Sequence, residues 1–251
     1  MKEETVVGWK PFSFDIVDLV TLDARIGGDS GLVYSTNPQK AIGADDESYV
    51  VKGPELEVVF AELSGCVLAN AAGITVPTVR ACRFADEVWA GSREVSGVRL
   101  VEPWLRRPRS AVNFPEVFAA VVVDVWLGNV DRNMGNIIGD PDGGDKVELV
   151  FIDFEKSVTL RPTPLIKSGM IDPRELWPSN ELGRLLMSSR PLLPPEDTIL
   201  RIMELDEVAC SRLIQPVCDA LGGVHWSENS IDVLARRARQ IRSLTEGVWN
   251  S

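Results

Sequence analysis

The chain has 251 residues, with 37 Asp and Glu against 26 Lys and Arg, a formal charge of −11 and a single histidine. That acidic balance argues against nucleic acid and anionic membrane surfaces as partners, since both select basic patches. His225 alone excludes chemistry that needs two histidines, His-rich metal centres included.

Apolar residues at 45% and charged residues at 25% describe a globular chain rather than a disordered one. A chain of this length buries roughly 70% of its unfolded surface, enough for one large domain or two closely packed lobes. The cysteines, Cys66, Cys82, Cys210 and Cys218, form no C-x-x-C pair. Cysteines set in apolar runs predict reduced core thiols in a reducing compartment. The start, Met1-Lys2-Glu3-Glu4-Thr5, carries no apolar signal region. The apolar stretch 117–123 is broken by Asp124, far short of the ~20 residues of a membrane span. The expectation is a cytoplasmic chain without stable membrane association.

In chain order, residues 19–26 are apolar and β-branched, Gly27-Gly28-Asp29-Ser30-Gly31 breaks them, and Leu32-Val33-Tyr34 resumes. This predicts a strand, a glycine loop and a second strand. Asn37-Pro38 marks the next turn, and Ser48-Tyr49-Val50-Val51-Lys52 reads as a third short strand. Gly53-Pro54-Glu55 opens a helix with the apolar stripe Leu56, Val59, Phe60, Leu63 and Val67, and Gly73 is its stop. Residues 78–84, 87–90 and 98–102 read as further strands, and Pro103-Trp104-Leu105-Arg106-Arg107-Pro108-Arg109 as a connector. Phe114-Pro115-Glu116 starts a strongly apolar helix that runs to Leu127. Residues 148–152 form one buried strand, and the segments 180–189, 196–220 and 229–246 are helical. The expected architecture is α+β, with a β-rich part carrying one helix over 1–103 and a mainly helical part over 104–251.

Three segments carry chemistry. Asp131 and Asn136 form D-x-x-x-x-N within Gly128-Asn129-Val130-Asp131-Arg132-Asn133-Met134-Gly135-Asn136-Ile137, and Asp153 closes the apolar run Val150-Phe151-Ile152-Asp153-Phe154-Glu155. Phosphoryl transfer asks for this set: a carboxylate that orients a hydroxyl and takes its proton, plus oxygen ligands for Mg²⁺. The residues between, Asp140-Pro141-Asp142-Gly143-Gly144-Asp145, read as a hairpin turn joining two strands. Upstream, Lys52 ends a strand that follows the glycine loop, as a phosphate-binding lysine does, and Glu55, Glu57 and Glu62 are available on the next helix to hold it. Taken singly, each segment reads as a turn, a cap or a solvated strand end. The order decides: glycine loop, lysine, glutamate helix, connector, D-x-x-x-x-N, then Asp-Phe.

With those motifs in place, the chain resembles the HipA-like kinases, a compact bacterial branch of the protein-kinase-like two-lobe fold. Its 128–137 loop is also similar to the G-D-R-H-x-x-N-I loop of phosphoinositide kinases, and 150–154 to their I-D-F segment. Glu62 followed by Gly73-Ile74-Thr75-Val76-Pro77 resembles the HipA-like pattern of a helix glutamate ahead of a G-[LI]-x-V-P turn. The similarity spans residues 20–160. It implies ATP and Mg²⁺ as cofactors, Asp131 as catalytic base, and Asn136 and Asp153 as Mg²⁺ ligands. It implies that Lys52 holds phosphates and Glu62 holds Lys52. It also implies that Gly27, Gly28, Ser30 and Gly31 cover the nucleotide, and that backbone at 101–103, Glu102 included, meets the adenine.

Two positions depart from the kinase pattern. Asn129 stands where a histidine precedes the catalytic Asp by two, and Glu155 stands where a glycine follows Asp-Phe, which disfavours a flip of that segment. The resemblance implies a serine/threonine protein kinase, and the acidic surplus hints at a basic protein partner. Two alternatives stay open. One is a small-molecule or lipid kinase, with Asp172, Glu175 and Glu181 as acids near its acceptor. The other is a nucleotide-binding regulatory module without transfer.

Overall fold

In the computed structural model, the described residues are 15–25, 38–95, 98–99, 111–129, 131–140, 147–158 and 194–249. The glycine loop with Gly27, Gly28, Ser30 and Gly31, the strand 32–34, Glu102 and the 103–109 connector lie outside them. So do most of the 140–145 turn, the acids Asp172, Glu175 and Glu181, and the helical segment 180–189.

The described residues form an α+β structure with a β-rich region, eight strands and five α-helices in all. Strands β1 (Val17–Arg25), β2 (Gln39–Gly43), β3 (Ser48–Lys52), β4 (Val79–Phe84) and β5 (Glu87–Arg93) close into a barrel in the order β1-β2-β3-β5-β4. Closure comes from a short parallel pairing of Val17 and Asp18 with Cys82 and Arg83. The strand that returns to β1 is β2, a stretch of polar and small residues without a strand signature in sequence; its Ala41 and Gly43 turn inward.

Alternation sets what each strand presents. In β3, Tyr49 and Val51 enter the barrel core beside Leu19, Ala41, Cys82 and Trp89. Lys52 therefore points the other way, toward helix α1 (Leu56–Ala71). That helix was expected to bury one stripe. It is instead buried on nearly every side, because it lies between the barrel strands and the helical region. Its Leu56, the first residue of the expected stripe, is 45% exposed.

Helix α2 (Glu116–Leu127) is buried from Val117 through Leu127 and is packed by α1, α3 (Glu196–Met203) and α5 (Glu228–Trp249). The segment 196–220, expected to be helical, holds two helices. The chain breaks after α3, and Asp206 then caps α4 (Glu207–Ala220) by accepting from the Ala209 N–H at 2.8 Å. At the far end of α2, Trp126 donates its indole N–H to Leu234 O at 3.0 Å, and Arg237 donates to Trp126 O at 3.2 Å.

A second sheet holds β6 (Val98–Arg99), β7 (Ile137–Asp140) and β8 (Glu148–Phe151) in that order, all antiparallel. β6 thus pairs with β7 rather than continuing the barrel. The turn after α1 fastens the two sheets' neighbourhoods together. Thr75 donates its N–H and its hydroxyl to the Glu116 carboxylate at 2.7 and 3.1 Å, and its carbonyl accepts from Phe151 N at 2.8 Å. Asn113 pairs both ways with the Leu149 backbone at 2.8 Å. All four cysteines are free and buried. No helix among the described residues is long and apolar enough to cross a membrane.

One polar pair, between buried Tyr49 and exposed Asp45 in the β2–β3 turn, supplies a pH test. Tyr49 Oη donates to Asp45 Oδ2 at 2.7 Å, which holds the Asp45 carboxyl below its ordinary value of 3.8. A lowered carboxyl adds stability above its unfolded pKa, and that contribution fades as pH falls through the folded value. Tyr49→Phe is expected to destabilise by about 0.5 kcal/mol at pH 7, the carboxylate being well solvated. Melting curves of both proteins from pH 7 down to 3 should converge at the acid end; a constant difference would refute the linkage.

Candidate functional site

The hairpin β7–β8 brings the two chemistry-bearing segments edge to edge. Ile137 pairs with Phe151, so Asn136 and Ile152 meet just beyond the ladder, where Ile152 N donates to Asn136 O at 3.0 Å. Asp153 is the next residue. Asp131 and Asn136 are joined directly, the Asn136 amide donating to Asp131 O at 2.9 Å. Asn133 caps the short 3₁₀ turn Met134–Asn136 by accepting from Gly135 N at 2.8 Å.

What holds the loop is a buried ion pair. Helix α2 ends at Gly128, whose φ of 75° is the left-handed cap that lets the chain turn sharply out of the helix. One turn earlier stands Asp124, 2% exposed within an otherwise apolar helix. Its carboxylate accepts from Asn129 Nδ2 at 2.9 Å and from Arg132 Nε at 3.1 Å. The Arg132 side chain is fully buried, at 0% exposure. Its Nη1 donates to the carbonyls of Asn136, at 3.3 Å, and Ile152. The guanidinium also lies over the Phe154 ring, 4.5 Å from its centroid. One arginine thus ties α2, the 131–136 loop and the end of β8 together. Neither residue was singled out from sequence, yet a lone acid inside a buried helix signals a cation elsewhere.

Lys52 completes the cluster from the barrel. Its Nζ lies 3.1 Å from Glu62 Oε2, 2.7 Å from Asp153 Oδ1 and 3.3 Å from Glu155 Oε2. Of the three helix glutamates, Glu62 is the one that reaches it. Burial alone would lower the Lys52 ammonium, but the carboxylates of Glu62, Asp153 and Glu155 outweigh it and hold the group above its ordinary value. Burial likewise pushes the Glu62 carboxyl up against the pull of Lys52. Glu62 Oε2 also accepts from Phe154 N at 2.9 Å, so the helix grips the turn as well as the lysine. Asp153 itself sits at φ 68°, a left-handed conformation unusual for a side-chain-bearing residue and tolerated best by Asp and Asn.

Gly65 lies one turn after Glu62 on the same helix face. A Cβ there would stand 2.5 Å from both Phe154 Cβ and Ser157 Oγ, so only glycine admits the turn this close.

Asp131 is exposed at the mouth of the cluster. Partial burial raises its carboxyl first, and the nearby charges of Asp153 and Glu155 raise it further. Three carboxylates, Glu62, Asp153 and Glu155, place oxygens within 4.8 Å of one another around one ammonium. The site is rich in hard oxygen donors around a single ammonium. That set of carboxylates, Glu62, Asp153 and Glu155, has the donor chemistry that suits a divalent cation. The positions expected to cover the nucleotide and its adenine lie outside the described residues, so the structure brings together Lys52, Glu62, Asp131, Asn136 and Asp153.

Arg132→Met leaves Asp124 buried without its cation and is expected to destabilise by about 3–5 kcal/mol. Combining it with Asp124→Asn should recover part of the loss in chemical denaturation; additive effects would refute the pairing. Gly65→Ala is expected to cost about 1–3 kcal/mol by overpacking the Phe154 turn.

No protein-family model matches the chain, and no curated protein matches it in sequence. Among solved structures, the chain is similar to CtkA, a proinflammatory kinase of Helicobacter pylori, at 15% identity and a TM-score of 0.48, over 85% of this chain and 93% of that one.

Proposed function

We propose that the chain is a Mg²⁺–ATP-dependent phosphotransferase of kinase-like two-lobe architecture, with 1–103 as one lobe and 104–251 as the other. Its acceptor is a hydroxyl, by the HipA-like resemblance a serine or threonine of a protein. The observation that carries the reading is the convergence at Lys52. A lysine on a barrel strand, a glutamate on the following helix and an aspartate 101 residues beyond the lysine meet at one ammonium. The D-x-x-x-x-N loop is fastened beside them.

Each residue has a role suited to its setting. Lys52, kept charged by its carboxylates, presents an ammonium to phosphate oxygens. Asp153 and Asn136 offer the oxygen donors for Mg²⁺, which supplies charge neutralisation of the phosphates when bound. Asp131 is exposed and carries a raised carboxyl, the placement of a group that orients an incoming hydroxyl and accepts its proton at a carboxylate oxygen. Asn129, which replaces the usual histidine, accepts from Asp131 N at 3.3 Å and so helps set that residue's backbone.

The test is transfer from γ-labelled ATP with Mg²⁺, using basic protein substrates, cell extract and the protein itself, and ADP release with small alcohols as acceptors. Asp131→Ala is expected to cost about 10²–10⁴-fold, as loss of a general base does. Asp153→Ala should abolish transfer while leaving the barrel folded. Transfer that survives both changes would refute the assignment, and transfer to small alcohols alone would replace the protein acceptor by a metabolite.

A further inference from the structure

We propose that Glu155 is a positioning residue for Lys52: it keeps the ammonium in place when Asp153 turns to a metal–nucleotide ligand. This rests on the phosphotransferase reading and deepens it.

The three carboxylates around Lys52 are not equivalent. Glu155 and Glu62 are 1% and 3% exposed at the side chain, whereas Asp153 is 23% exposed. Asp153 is the member that faces outward, and it also makes the shortest contact, 2.7 Å against 3.1 and 3.3 Å. Of these three, a ligand arriving from solvent therefore meets Asp153 first and competes for the carboxylate that binds Lys52 most closely. Losing that contact would free a long, flexible side chain unless other charges hold it. Glu62 holds it from α1, and Glu155 holds it from the chain segment that carries Asp153 itself.

The position is built for this. A carboxylate at 1% exposure persists only with a cation against it. Lys52 is that cation on the inner side, while Lys156 approaches the other oxygen at 3.9 Å from a 45% exposed position. A glycine at 155, the residue of the kinase pattern, would offer Lys52 nothing. The same contact also pins the 153–155 turn, already fixed by Phe154 N on Glu62 and by the Phe154 ring between Gly65 and Arg132. Glu155 thus acts on two things together, the lysine and the turn.

Glu155→Gln keeps the shape and removes the charge. In the unliganded protein, hydrogen exchange of residues 152–157 is expected to quicken about tenfold, with exchange in α5 unchanged. With nucleotide, the dissociation constant for Mg²⁺–ATP by calorimetry and the KM for ATP should both rise about five- to tenfold. The kcat should stay within about twofold, because saturating nucleotide restores the placement of Lys52. Should the Gln variant melt early, Glu155→Asp keeps the charge one methylene farther away and should show smaller shifts of the same sign.

Unchanged exchange with unchanged KM would reduce Glu155 to filler and overturn the proposal. A fall in kcat with a raised Mg²⁺ requirement would make Glu155 a metal ligand and overturn it too. If the wild-type protein binds no nucleotide, the phosphotransferase reading fails, and the exchange measurement alone decides the Glu155 contact.

Discussion

The structure around the site depends on burying one arginine. Arg132 has no exposure, and a guanidinium taken wholly out of water must find carboxylate and carbonyl partners in several directions at once. Asp124 supplies the charge from inside α2, and the Asn136 and Ile152 carbonyls supply the rest from the loop and from the end of β8. Because those partners belong to three separate segments, satisfying Arg132 fixes all three relative to one another. Asp131, Asn136 and Asp153 are attached to those same segments, so their mutual placement follows from a pairing in which none of them takes part through its side chain. A neighbouring charge cannot shift a fully paired, buried guanidinium cheaply, which makes this a rigid frame for groups that must themselves stay adaptable.

Helix α1 is the second element held in this way. Its C-terminal turn is tied through Thr75 to Glu116 at the start of α2 and to Phe151 in β8. Its middle is tied through Glu62 to the Phe154 amide and packed at Gly65 against the Phe154 side chain. At its side, Phe60 meets Trp226 with ring centroids 6.0 Å apart. The helix is thus tied to α2 and β8 by hydrogen bonds and to the barrel by packing on β4 and β5 and by the Lys52–Glu62 ion pair.

Strong periodic signals were legible in the sequence and weak or long-range ones were not. Strand β3, helices α1 and α2 and strand β8 follow from alternation or from dense apolar runs, and the structure places them within about a residue or two of where those patterns end. Strand β2 escaped because Gln39, Lys40 and Gly43 suggest a turn; its strand character comes from being paired on both sides in a closed barrel. The break between α3 and α4 escaped because neither glycine nor proline marks it, although Asp206 three residues ahead of an accepted N–H is a cap signal. In the site, Lys52, Asp131, Asn136 and Asp153 stood out by their order along the chain, whereas Glu62 was one of three glutamates that order left open and only the resemblance singled out. Asp124 and Arg132 did not stand out. Each looks ordinary in its own neighbourhood, and only folding shows that one neutralises the other.

Exposure then grades the charged groups by what is open to each of them. Arg132 and Asp124 are sealed and hold position. Glu62 and Glu155 are nearly sealed, at 3% and 1%, and hold a lysine. Asp153, at 23%, touches both that lysine and the outside, and Asp131 stands exposed beyond it. A carboxylate whose partners are all internal can only stabilise, whereas one with an open side can change partner at little cost. Two carboxylates at the mouth, each raised or strained by its setting, are the members of the cluster with that freedom. An acidic chain that sets Asp124 on the frame and Glu62 and Glu155 on the lysine still leaves these two at the open side.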